Sequence, residues 1–89
     1  MTPSIITVQL RYFARLRETF ARSQEAVSLQ EPTLAALFDL LHARGGVWAD
    51  ELSGHRIVRI AINQEMHTSG DCTLKEGDEI ALFPPVTGG

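Results

Sequence analysis

The residues best suited to chemistry sit at the end of the sequence. Gly88-Gly89 is an uncommon ending: glycine makes up about 7% of average protein sequence, so chance alone gives a pair there roughly 0.5% of the time. Two residues without side chains can enter a narrow channel and bring the backbone close to a ligand. Pro84-Pro85, just upstream, stiffens the exit and points the chain outward. Residues 84–89 extend to roughly 20 Å when stretched. Such a tail fits chemistry at the main-chain carboxylate of Gly89. That group has a pKa near ~3.5 and is an anion at neutral pH. A carboxylate anion is a poor electrophile, so it needs activation, and adenylation by ATP supplies it. The sequence has no phosphate-cradling glycine loop ahead of a helix, so the activating site belongs to a partner.

Other chemistry has weaker support. His42, His55 and His67 share no metal-ligand spacing with one another or with an H-E-x-x-H or C-x-x-C pattern. His42 reads as a helix C-terminal cation, and the other two as turn residues. The lone Cys72 has no partnering motif and reads as a packed thiol. Asp50, Glu51, Glu76, Asp78 and Glu79 are expected on a solvated surface. Arg11, Arg15, Arg17 and Arg22 form a loose basic cluster, either a solvated face or a meeting point for an acidic partner.

The 89 residues, 44% hydrophobic and with net charge -3, suit one domain with a thin core. That balance argues against nucleic acid, which asks for a basic footprint. No stretch is apolar for long enough to cross a bilayer, and the first residues lack a signal-peptide n-region. A single cysteine excludes an internal disulfide, and the expected location is cytoplasmic.

Which elements position the tail? Ile6, Val8 and Leu10 alternate with Thr7, Gln9 and Arg11, the two-residue period of a half-buried strand that Tyr12-Phe13 extends. Leu16 and Phe20 fit a short helical turn, and residues 25–29 a second strand, hairpinned to the first. Pro32-Thr33 opens the main helix, with Thr33 as N-cap and Leu34, Leu37, Phe38 and Leu41 on one stripe. Gly45-Gly46 is expected to close that helix in left-handed conformation. Residues 47–52 add one more turn. Residues 57–62 read as a central strand buried on both faces. Residues 63–65 turn the chain, and residues 66–74 are poorly patterned, with room for a short edge strand. Residues 75–78 form a turn. The last strand, residues 79–83, stops at the prolines, which donate no ladder hydrogen bond. Within it Ile80 and Leu82 point inward, and Ala81 and Phe83 outward, with an exposed Phe83 as a partner patch. The expected fold is α+β: a β-grasp (ubiquitin-like) roll whose mixed sheet of four to five strands packs on one main helix. The domain spans 1–83 and the tail 84–89.

The run GDEIALFPPVTGG at 77–89, with FARLRE at 13–18 and AIN at 61–63, resembles the small subunit of molybdopterin synthase, the sulfur carriers of the ubiquitin-like superfamily. The resemblance implies a subunit that is no enzyme alone. An adenylyltransferase related to ubiquitin-activating enzymes would use ATP to form an acyl-adenylate on Gly89, and a sulfur donor would convert it to a thiocarboxylate. The large synthase subunit, in a heterotetramer of two small and two large chains, would then direct that sulfur to precursor Z (cyclic pyranopterin monophosphate). Partner binding is implied for Phe13, Arg17, Ala81, Phe83, Pro84, Pro85, Val86, Thr87 and Gly88. No cofactor or metal is expected on this chain. Three readings compete: a carrier for thiazole synthesis, a ubiquitin-like interaction module without carrier chemistry, and a tag conjugated to the lysines of other proteins.

Overall fold

A computed structural model describes residues 5–53, 57–67 and 70–85. The chain runs β1 (Ile6–Tyr12), α1 (Arg15–Thr19), β2 (Gln24–Leu29), α2 (Leu34–His42), α3 (Gly46–Glu51), β3 (Arg59–Ile62), β4 (Glu65–His67) and β5 (Glu79–Phe83). The five strands form one mixed sheet in the order β2-β1-β5-β3-β4. The central pair, β1 with β5, is parallel; the other three pairings are antiparallel. This is the expected roll: α2 buries Leu34, Leu37 and Leu41 in the core formed by Val8, Leu10, Tyr12, Val27, Leu29, Ile80 and Leu82. The alternation in β1 thus sorts the strand as its sequence directs, with Val8, Leu10 and Tyr12 inward and Gln9 and Arg11 outward. Among the described residues no helix is long and apolar enough to cross a membrane.

Three expectations change. The glycine pair does not close α2. That helix ends on a right-handed Ala43, with tight bonds from the Arg44 N–H to Leu41 O and from the Gly45 N–H to His42 O, both 3.1 Å. Gly45 and Gly46 instead take φ of 72° and 56° at the junction that opens α3. Residues 57–62 are not a central strand buried on both faces. β3 covers only Arg59–Ile62 and lies second from the edge, with Arg59 exposed on its outer face. The β-branched run reports core contact on one side only, since Ile60 and Ile62 pair with Leu82 and Ile80. Glu51 is not on a solvated surface: it is 4% exposed and bonded through Oε2 to Arg15 at 3.1 Å, while its buried Oε1 accepts no hydrogen bond.

The poorly patterned stretch has a defined task. Its start forms the edge strand β4. Its end helps to cap α2: Asp71 Oδ1 accepts from the Ala35 N–H at 2.8 Å and Cys72 O from the Leu34 N–H at 3.0 Å, beside the expected N-cap Thr33, whose Oγ1 accepts from the Ala36 N–H at 3.1 Å. Three otherwise unmet helix N–H groups are satisfied this way.

A polar hub ties the remaining elements together. Glu25 on β2 accepts from the Tyr12 hydroxyl at 2.5 Å, from both Nη atoms of Arg44 at 2.9 Å, and from Arg22 Nη1 at 3.0 Å. Around it Phe20 stacks on Trp48 at 3.8 Å, Tyr12 meets both rings edge-on, and the Arg44 guanidinium lies 4.4 Å over Trp48. Burial alone pushes the Glu25 carboxyl up. The hydrogen bonds from Arg44 and Tyr12, with the charges of Arg44 and Arg22, outweigh it and hold the group below its ordinary value. A depressed carboxyl stabilises the fold in full above the unfolded-state pKa of ~4.3, and the contribution fades as pH falls through the lower folded value. The substitution E25Q should therefore cost about 1–3 kcal/mol at neutral pH. It should also flatten the fall of the urea midpoint between about pH 5 and pH 3 relative to the parent protein. An unchanged acid limb in E25Q would remove the hub from the account.

Candidate functional site

The site begins where two strands end together. In the parallel β1–β5 pair, Leu10 lies opposite Ile80 and Tyr12 opposite Leu82. Both side-chain columns face the core. The next step along the pair brings Phe13 to the end of β5, where its N–H donates to Leu82 O at 3.1 Å. That bond repeats the one from the Gln9 N–H to Asp78 O and sets Phe13 beside Phe83. On the other flank Arg59 lies opposite Phe83, and Ile57 and Val58 continue past it on the side where Pro84 and Pro85 leave the strand.

The outer face of the sheet is apolar along this route. Ala81 lies opposite Ala61, and Ala61 opposite Met66. Ile80 and Leu82 are buried and Ala81 and Phe83 face outward, as the alternation in the sequence requires. Phe83 is nonetheless half-buried, not openly exposed as expected. The large exposed apolar side chains here are Phe13, Ile57 and Met66, at 43%, 65% and 56%. Ile57, Arg59 and Met66 were not read as site residues from sequence. Only strand pairing brings them to this edge, and the one local signal, the apolar Met66 between Glu65 and His67, is common on any surface.

The basic cluster of the first turn is largely dispersed. Arg11 pairs with Glu79 at 2.9 Å, Arg15 with Glu51 and Arg22 with Glu25. Arg17 makes no ion pair among the described residues, nor does Arg59. These two cations flank the apolar edge. Val86, Thr87, Gly88 and Gly89 lie outside the described residues, as does His55.

No competing reaction centre appears. Among the described residues no group of three His, Cys, Asp or Glu side chains could hold a metal ion. A groove of about 440 Å³ between α2 and β3 is lined by Leu34, Phe38, Ile57, Val58, Ile60 and His67, among others. Two of its polar members are occupied: His67 Nε2 sits 2.7 Å from Gly70 O, and Asp71 caps α2. Glu76, Asp78 and Glu79 do structural work. Glu76 Oε1 accepts the Thr7 N–H at 2.9 Å, and Asp78 Oδ1 accepts from Asn63 Nδ2 at 3.0 Å.

With this geometry the comparisons with known proteins are unambiguous. The ThiS family profile matches residues 10–89. The chain belongs to the ThiS family. It is 37% identical over 82 residues to the molybdopterin synthase sulfur carrier subunit of Escherichia coli (strain K12), covering 92% of this chain and 99% of the relative. The subunit of the same name from Haemophilus influenzae is 38% identical over 80 residues, covering 88% and 94%. These identities put the chain with the molybdopterin synthase sulfur carrier subunits. Among solved structures, SAMP1 from Haloferax volcanii superposes with a TM-score of 0.75 at 26% identity, over 93% of this chain and 99% of the other. A chain in the complex of subunits 1 and 2 of molybdopterin-converting factor from Helicobacter pylori superposes with a TM-score of 0.66 at 27% identity, over 94% and 100%.

The remaining nucleophile in reach of the description is Cys72. Burial pushes its thiol up, and the negative charges of Asp71 and Asp78 push it further the same way. The reactive form is the thiolate, so this cysteine is a poor sulfur acceptor at neutral pH. Iodoacetamide should label Cys72 more slowly in the folded protein than in urea at pH 7, with the folded rate rising as pH is raised. The substitution C72S should leave sulfur transfer intact. Fast labelling of the folded protein at neutral pH would reopen a role for the thiol.

Proposed function

We propose that this chain is the small subunit of molybdopterin synthase in action as well as in descent, carrying sulfur as a thiocarboxylate on Gly89. The observation that carries the reading is the extent of the family match. It runs through residue 89, so the positions of Gly88 and Gly89 lie within the stretch that the family model covers. The acceptor of the sulfur is precursor Z (cyclic pyranopterin monophosphate), and two transfers build the dithiolene of molybdopterin.

The division of labour follows from the chemistry of the carboxylate. An ATP-using adenylyltransferase converts it to an acyl-adenylate, an electrophile. A sulfur donor displaces AMP and leaves the thiocarboxylate, whose sulfur is a better nucleophile than the oxygen it replaces. Attack on the substrate displaces an oxygen substituent and leaves the sulfur joined to both the substrate and the acyl carbon; water then cleaves the acyl–sulfur bond, which leaves the sulfur on the substrate and returns the carboxylate. This chain supplies the reagent and a docking edge; the acid, base and phosphate-binding groups lie on the large subunit. The cycle runs in the cytoplasm, and the assembly is a heterotetramer of two small and two large chains.

The docking edge consists of Phe13, Phe83 and Ala81, with Pro84 and Pro85 after the strand, and the contact with the partner extends in sequence to Val86, Thr87 and Gly88. Ile57 and Met66 widen it. Arg17 and Arg59 favour a partner with carboxylates around an apolar patch, because opposite charge at a rim steers association. The solved complex of subunits 1 and 2 from Helicobacter pylori supports a large-subunit partner. A second reading, attachment of the same activated carboxyl to protein amines, draws on the likeness to SAMP1, a small archaeal modifier protein.

Removing Gly89 should abolish sulfur transfer to precursor Z by the reconstituted synthase and leave the thermal midpoint unchanged, since the deletion lies beyond the last strand. Intact-mass analysis of the protein from its host should show a fraction in which one oxygen is replaced by sulfur. Sulfur accepted only by a thiazole synthase, or isopeptide-linked products in place of thiocarboxylate, would overturn the assignment.

A further inference from the structure

Ala14 has φ 53° and ψ -130°. These are the angles of the first central residue in a type II′ turn, a region that glycine enters freely and an L-residue enters under strain. The turn is closed: the Leu16 N–H donates to Phe13 O at 3.1 Å. Ala14 itself is exposed, so its methyl group gains no core contact in return for the conformation.

What the turn achieves is visible in its neighbours. Tyr12 is 1% exposed and Leu16 is fully buried. Between these two anchors the chain keeps the large apolar ring of Phe13 in solvent and bonds its N–H to the end of β5. The same reversal starts α1, which packs against β5 and carries Arg17. An ordinary turn with negative φ at position 14 would reverse the chain with the opposite twist and re-aim the peptide that joins Phe13 to α1.

We propose that Ala14 is a positioning residue for partner docking: its strained turn holds the Phe13 ring and the start of α1 at the tail-exit edge. The inference rests on the reading above, in which the large synthase subunit docks at that edge. Ala14 acts through Phe13 and touches no reacting atom.

The test is a double-mutant cycle on the affinity of the full-length protein for the large subunit, read by titration calorimetry at a temperature where thermal unfolding finds every variant folded. F13A should weaken binding on the order of tenfold, as loss of an aromatic anchor does. A14P, whose ring fixes φ near -65°, should cost a similar factor. The double variant F13A/A14P should bind no worse than the weaker single variant, because both changes remove one interaction. A14G, which reaches the native angles freely, should restore affinity to near the parent value. Losses that multiply in the double variant, or parent-like binding by A14P, would overturn the proposal. If A14P does not fold, A14V replaces it, since a β-branched residue resists positive φ. If A14V fails as well, the turn is a stability element and the proposal falls. Parent-like binding by F13A would instead refute the docking edge itself, which separates the two failures.

Discussion

The parallel pairing of β1 with β5 is the constraint on which the rest of the molecule depends. Parallel neighbours end at the same edge of a sheet. Pairing Tyr12 with Leu82 therefore fixes Phe13 next to Phe83 and brings the end of β5, with Pro84 after it, to the first turn. It also puts the final strand in the middle of the sheet, with Ile80 and Leu82 fully buried. A tail on an edge strand would be anchored on one side. Here it grows from a strand hydrogen-bonded on both, which suits a chain that must be handled by other proteins without being pulled from its fold.

The second condition is that the first turn stays in place. Three ties meet there, each a charge-assisted bond: α1 to α3 through Arg15 and Glu51, the end of β1 to β2 through Tyr12 and Glu25, and the end of α2 to β2 through Arg44 and Glu25. Such bonds are individually modest when exposed. At Glu25 several converge on one carboxylate whose side chain is only 14% exposed, and removing it would leave the Tyr12 hydroxyl and the Arg44 guanidinium as donors without their acceptor. The aromatic cluster of Phe20, Trp48 and Tyr12 seals this corner from the other side.

Much of this was legible in the sequence because hydrophobic period and breaker residues report local structure directly. The alternation of residues 6–12, the stripe Leu34-Leu37-Leu41, the Thr33 cap and the Pro84-Pro85 stop all act within a few residues. The misreadings share a cause. Burial of β3 depends on which strands flank it, and its place second from the edge is a property of topology that a β-branched run does not carry. Gly45-Gly46 marked a chain reversal correctly, but whether the reversal ends one helix or starts the next depends on where Trp48 packs. Glu51 looked like a surface acid, because its salt bridge to Arg15 joins residues 36 positions apart; the cap that Asp71 places on α2 spans as many and left no local signal either. Phe13 and Phe83 were legible as candidate docking residues through resemblance and alternation. Ile57, Arg59 and Met66 were not, since only strand pairing gathers them.

The strained Ala14 shows how the two halves of the structure fit together. Holding an L-residue in such a conformation costs of order 1–3 kcal/mol. Burying a side chain the size of Tyr12 or Leu16 gains about 1.5–3 kcal/mol each. Two anchors, one on each side of the turn, together outweigh the strain, and Tyr12 is further fixed by its hydroxyl bond to Glu25. The strain therefore persists because the core over-determines the positions on either side of it, and the core can do so because β1 and β5 are locked in register. An exposed phenylalanine between two buried residues would otherwise fold inward, as its hydrophobicity favours. That it stands outside, beside the strand that leads to the tail, is a consequence of the same pairing that decides where the tail begins.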